Sequence, residues 1–118
     1  MGRSSENRIK FSKPTLTAIE RRINSGEFTK ESYLYDNVSH LAIRVRPNQS
    51  YSDSAFCVYE RIRIRGQQKS KLYKRQIMKV GEARNAAVPI SELRQKADSL
   101  FLEIQEGRDP QLLVQQMA

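Results

Sequence analysis

Residues 41–46 read Leu41-Ala42-Ile43-Arg44-Val45-Arg46, and residues 54–65 read Ser54-Ala55-Phe56-Cys57-Val58-Tyr59-Glu60-Arg61-Ile62-Arg63-Ile64-Arg65. Both stretches alternate. In the first, Leu41, Ile43 and Val45 fall on one side and Ala42, Arg44 and Arg46 on the other. In the second, Phe56, Val58, Ile62 and Ile64 share a side, with Glu60 the exception, and Cys57, Tyr59, Arg61, Arg63 and Arg65 share the opposite one. A period of two belongs to β-strands, whose successive side chains point to opposite faces. Pro47-Asn48-Gln49-Ser50 is a turn cluster that ends the first run. The chain therefore predicts two neighbouring strands, each apolar on one face and rich in arginine on the other.

The apolar face needs a cover, and the clearest helix of the chain supplies one. Ile90, Leu93, Ala97, Leu100, Phe101 and Ile104 follow a helical spacing and form a single stripe. Pro89 stands at its start, where a missing N–H costs nothing, and Gly107 with Asp109-Pro110 stops it. Towards the N-terminus, Thr17-Ala18-Ile19-Glu20 reads as a capping box. It opens a short helix with Leu16, Ile19 and Ile23 as its stripe and Gly26 as its end. Residues 32–37 read as a further strand ended by Asp36-Asn37, and a fourth runs near 71–80 with blurred alternation. Gly66-Gln67-Gln68 opens a hairpin loop, Gly81 closes the fourth strand, and Asn85-Ala86-Ala87 is an irregular link. The expected fold is α+β: a small antiparallel sheet of three to four strands packed on one long C-terminal helix, with a short N-terminal helix. Residues 1–13 read as a flexible tail, 14–110 as the domain, and 111–118 as the start of a linker to further domains.

The 118 residues suffice for about one domain with a small core. One cysteine excludes an internal disulfide framework and a cysteine-based zinc site. No apolar run nears the roughly 18 residues of a membrane helix, and the N-terminus has no apolar stretch of a secretory signal. The reading is a small, basic, cytoplasmic domain without a membrane partner. The formal net charge is +8, and it is concentrated. Residues 41–79 hold ten basic groups against Asp53 and Glu60, while residues 88–118 hold three basic and five acidic groups. A basic block within an otherwise balanced chain points to a polyanion.

The arginine face sharpens that expectation. Like charges on neighbouring strands repel by some tenths of a kcal/mol per opposed pair, so a sheet selected for stability alone would intersperse other residues. Duplex DNA carries a charge every ~1.7 Å along its axis, and its major groove admits β-strands. The arginine fork binds phosphates, or guanine O6 and N7, in a bidentate manner. The DNA-binding candidates are Arg44, Arg46, Tyr59, Arg61, Arg63 and Arg65, followed by Lys69, Lys71, Lys74 and Arg75 around the hairpin.

The ordered set of residues resembles the N-terminal arm-type DNA-binding domain of phage and genomic-island integrases, members of the tyrosine recombinase family. Leu16-Thr17-Ala18-Ile19 is similar to the family's opening, and Tyr35-Asp36 to the Tyr-Asp before its second strand. Leu41-Ala42-Ile43-Arg44-Val45 is similar to its Gly-Leu-Gly-Leu-Arg-Val stretch, and Ser54-Ala55-Phe56-Cys57-Val58-Tyr59 to its next strand start. Gly81 looks like the glycine after the last strand. Glu92, Arg94 and Ala97 match the family helix, and Gly107-Arg108-Asp109-Pro110 resembles its closing Gly-x-Asp-Pro. The resemblance covers about residues 14–110. It departs at His40 and Ala42, which replace two glycines, and after Gly66, where Gln67-Gln68-Lys69-Ser70-Lys71 replaces an arginine-rich run. It implies a sheet that binds short arm-type sites on double-stranded DNA, placing a recombinase there during integration and excision. The core-binding and catalytic domains of that family would follow this one, other integrase protomers would be partners through the C-terminal helix or the stub after it, and the setting would be bacterial, at the nucleoid when bound.

No enzyme site is expected in this stretch. His40 is the one histidine and reads as a turn residue, Cys57 reads as a half-buried packing residue, and the five glycines are too scattered for a phosphate loop. No cofactor, metal or small-molecule substrate is expected. Two other readings compete: an RNA-binding module on the same basic sheet, and a protein-interaction module of a recombinase acting through the C-terminal helix or the stub after it. RNA-binding sheets stack bases on exposed aromatics. Tyr59 is the one aromatic expected on the arginine face, which favours duplex.

Overall fold

The computed structural model describes residues 8–109. In chain order the elements are β1 (Arg8–Ile9), α1 (Lys13–Asn24), β2 (Ser32–Asp36), β3 (Ala42–Val45) and a 3-10 turn (Tyr51–Asp53). β4 (Ala55–Ile62), β5 (Lys71–Lys79), α2 (Val80–Asn85) and α3 (Ile90–Gln105) follow. The strands form one five-stranded sheet in the order β1-β2-β3-β4-β5. β1 lies parallel to β2, and every other pairing is antiparallel. The class is α+β, as the alternation and the helical stripe imply. The sheet is larger than expected and mixed, because β1 is two residues long and offers no alternation to read.

One face of the sheet carries the core. Leu34, Ile43, Phe56, Val58 and Ile62 meet Ile19 and Ile23 of α1, Val80 and Ala83 of α2, and Leu93, Ala97 and Ile104 of α3. Phe101 belongs to the predicted stripe yet is only half-buried. Its ring stacks on the His40 imidazole, centroids 3.7 Å apart.

Residues 8–13, read as part of a tail, belong to the fold. Phe11 is 1% exposed. Its N–H donates to Asp36 Oδ1 at 3.0 Å, and its carbonyl accepts from Arg94 Nη2 at 2.7 Å. Helix α1 accordingly starts earlier than Thr17. Ser12 is its cap: Thr15 N–H donates to Ser12 Oγ at 3.4 Å and Ser12 N–H donates to Thr15 Oγ1 at 2.7 Å. This is a capping box with threonine in the place usually held by Glu or Gln, and Pro14 fits a first turn that needs no N–H from it. The expected tail residues 1–7 and the expected linker residues 111–118 lie outside the described residues.

The end of β5 also differs. Gly81 does follow the last strand, but it already lies within α2, which begins directly after β5. A Cβ there would sit 3.2 Å from the Ser52 carbonyl oxygen, so glycine permits the close approach of α2 to the 3-10 turn. Just before it, the β4–β5 register shifts at Phe56/Cys57: Met78 opposes Phe56 while Gln76 opposes Cys57. Ile77 is the extra residue of a bulge, and both Ile77 and Met78 pack against the core. Two consecutive core-facing residues are what blurred the alternation.

Candidate nucleic-acid interface

The sheet face away from the helices is open. Register places Tyr33, Arg44, Ala55 and Lys79 in one cross-strand row, and Tyr35, Ala42, Cys57 and Gln76 in the next. Tyr59 with Lys74, and Arg61 with Leu72, continue the face towards the hairpin. Ala42, Ala55 and Cys57 form a floor of small, buried side chains. Above it Tyr33 and Tyr59 stack, centroids 3.8 Å apart and 8° from parallel, and Lys74 Nζ lies 6.0 and 5.8 Å from their centroids. Arg8 lies 5.7 Å over the Tyr35 ring. Arg44 donates to Gln76 Oε1 at 3.3 Å across the small residues of β4.

The ten nominated residues divide. Arg44, Tyr59, Arg61 and Lys74 share the open face, and Arg46 extends it from the end of β3. Arg61 reaches Ser70 in the hairpin, donating to its Oγ and carbonyl at 3.4 Å. β4 ends at Ile62, so Arg63 and Arg65 stand in the loop rather than in a strand. Arg63 is exposed there. Arg65 turns back to the end of α3: its N–H donates to the Gln105 carbonyl at 2.7 Å and its Nε lies 3.1 Å from Glu106. Lys69 lies exposed in the loop, and Lys71 opposes Ile62 at the far end of β5. Arg75 is on the wrong side for the open face. It opposes Val58 and donates through Nε to Asp109 Oδ1 at 3.1 Å, which fastens the end of α3 to β5.

The sequence reading placed one tyrosine on this face; the structure places three. Tyr33 and Tyr35 flank Leu34, so the alternation of 32–37 held the signal. Lys79 was also missed, because only the bulge brings it back to the open face. So was Glu31, the residue before β2. Glu31 Oε1 accepts from Arg46 Nε at 2.8 Å, and its Oε2 lies 3.1 Å from the Tyr33 hydroxyl and 3.5 Å from Lys74 Nζ. The Arg46 hydrogen bond, with those of Tyr33 and Lys74, holds this carboxyl below its ordinary value. Burial and the neighbouring Glu31 push the Tyr33 hydroxyl upward, so it stays a hydrogen-bond donor.

Cys57 is buried more fully than expected, and burial pushes its thiol up to about 12. It packs among Tyr35, Ala42 and the two stacked rings. His40 is held on the opposite face: its Nδ1 lies 3.0 Å from Glu60 Oε2, and its N–H donates to Asp98 Oδ1 at 2.9 Å. Among the described residues no group of three or more His, Cys, Asp and Glu could hold a metal ion, and no helix is long and apolar enough to cross a membrane.

Comparison with protein-family models, with curated proteins and with solved structures gives no match.

Proposed function

We propose that this chain is a double-stranded DNA-binding module that places a tyrosine recombinase on arm-type sites, without catalysis of its own. The observation that carries the reading is the open sheet face. Arg44, Arg46, Arg61, Lys74 and Lys79 stand on or beside it, and the apolar side of the same strands is used up by the helices. Supporting it, the residues that resemble the integrase domain have structural work in this chain. Asp36 pairs with Arg94, and Asp109 pairs with Arg75. A face of this kind meets phosphates with its cations and can offer arginine and glutamine to base edges in the major groove.

Three tyrosines on the face favour a second reading, binding of single-stranded nucleic acid or RNA by base stacking. Tyr33 and Tyr59 stack on each other, which occupies one face of each ring and favours duplex over a base platform.

Fluorescence anisotropy separates the two. Titrate the chain with a duplex, its isolated strands and the matching RNA at several salt concentrations. If five cations each meet one phosphate, log affinity against log salt for the duplex should slope at about −4 to −5. Tighter binding to the single strand would replace the first reading with the second. No binding to any of them at micromolar protein in low salt would remove both.

A further inference from the structure

Three donors from three elements converge on one point of the open face: Arg46 Nε at 2.8 Å, the Tyr33 hydroxyl at 3.1 Å and Lys74 Nζ at 3.5 Å, all measured to the Glu31 carboxylate. Tyr33 is on β2, Lys74 on β5, and Arg46 follows β3. We propose that this convergence is a phosphodiester-binding site, and that Glu31 is a resident stand-in that leaves when a backbone phosphate arrives. The inference rests on the reading of the face as a nucleic-acid surface.

The chemistry of the donors fits the ligand. A guanidinium, an ammonium and a hydroxyl are the groups that hold a phosphate oxygen, and together they carry two positive charges. A carboxylate already shows that an anion is stable at this point. Glu31 is free to yield it. The residue precedes β2, its side chain is 36% exposed, and its contacts are side-chain to side-chain. The stacked rings fix the Tyr33 hydroxyl, and Lys74 spans both rings, so two donors keep their places when the carboxylate swings out. The resident carboxylate also shields the cations. A ligand with one weak charge does not displace it, whereas a phosphate chain that also meets Arg44 and Arg61 does.

The test compares Glu31→Gln with Glu27→Gln. Glu27 pairs with Arg22 at the end of α1, at 2.6 Å, so its loss changes the net charge equally without touching this site. Duplex titrations at low salt should show Glu31→Gln binding about 3- to 10-fold tighter than the parent, with a salt slope steeper by about one. Glu27→Gln should stay near the parent. In parallel, the Arg46 Nε–H resonance is followed by NMR during titration with inorganic phosphate. It should shift in Glu31→Gln at millimolar phosphate and stay still in the parent. Equal duplex affinity and slope in parent and Glu31→Gln would overturn the inference and leave the DNA-binding reading standing, and so would equal gains from both variants. A chain that binds no duplex but whose Arg46 resonance shifts in Glu31→Gln would keep the anion site and remove the nucleic-acid reading.

Discussion

Arg94 meets Asp36 with an Nε–Oδ2 distance of 2.7 Å, and Arg46 meets Glu31 with an Nε–Oε1 distance of 2.8 Å. The two pairs look alike, yet they sit in different media. Asp36 is fully buried and accepts from Phe11 N–H and Ser39 Oγ as well, so its lone pairs are committed. Glu31 stands at the water's edge. A buried carboxylate stripped of its partner keeps a charge that water cannot reach, whereas an exposed one is simply rehydrated. The helix side of the sheet thus uses charge to hold the fold together, and the open side holds charge that can be redirected to a ligand.

The largest expected effect is on the buried pair. Arg94→Ala should cost about 3–5 kcal/mol of stability, measured by chemical denaturation. Arg46→Ala should stay within about 0.5 kcal/mol. Equal losses would dissolve the distinction between the two faces. Next, Phe11→Ala should cost about 3–5 kcal/mol, as expected for a fully buried aromatic. A shift below about 1 kcal/mol would return residues 8–13 to the status of a tail. Phe101→Ala should cost less, about 1–3 kcal/mol, because its ring is half-buried, stacked on His40 and packed only against the margin of the core.

Acid sharpens the same contrast. Burial alone would raise the Asp36 carboxyl, but the hydrogen bonds from Arg94, Ser39 and Phe11 outweigh it and hold the group below its ordinary 3.8. A carboxyl lowered by folding stabilises the native state in full above that ordinary value, and the contribution fades as pH falls through the lowered one. Stability measured from pH 6 down to about pH 2 should therefore drop steeply in the parent and more shallowly in Asp36→Asn. Glu31→Gln should follow the parent curve closely. The smallest stability effects belong to the open face and to the hairpin loop beside it. Arg44→Ala and Arg63→Ala should unfold within about 0.5 kcal/mol of the parent while losing about 1–3 kcal/mol of duplex affinity. If either melts early, that arginine has a structural part in the sheet or its hairpin.

Alternation made the helix side legible: Leu41, Ile43, Val45, Phe56, Val58 and Ile62 are all buried where the period of two places them. The stripe of α3 was legible for the same reason. What escaped depends on pairing partners distant in sequence. β1 is too short to carry a pattern, and Phe11 is buried by a latch between Asp36 and Arg94 that no local window contains. Ser12-x-x-Thr15 is a weaker cap signal than Thr17-x-x-Glu20, and it won because β1 delivers the chain to that point. On the open face the arginines of β3 and β4 were visible, but Arg75 was assigned to the wrong company, since its side is settled only by register with β4. Glu31 was invisible because a carboxylate just outside a strand has no period to betray it.

The bulge at Ile77 has a consequence for chain length. Substitution there should be forgiving, since another apolar side chain can fill the same place. Removal of Ile77 itself should be forgiving too. Gln76 already opposes Cys57 and Met78 already opposes Phe56, so the strand would close into simple pairing with Met78 still towards the core and Lys79 still on the open face. Removal of a residue before the bulge is a different matter. Without Arg75, Met78 could keep its place opposite Phe56 only if Gln76 turned to the core and Ile77 to the open face. The bulge is thus a place where β5 can lose a residue without re-aiming the chain that follows, whereas a deletion between Lys71 and Gln76 should be far less tolerated.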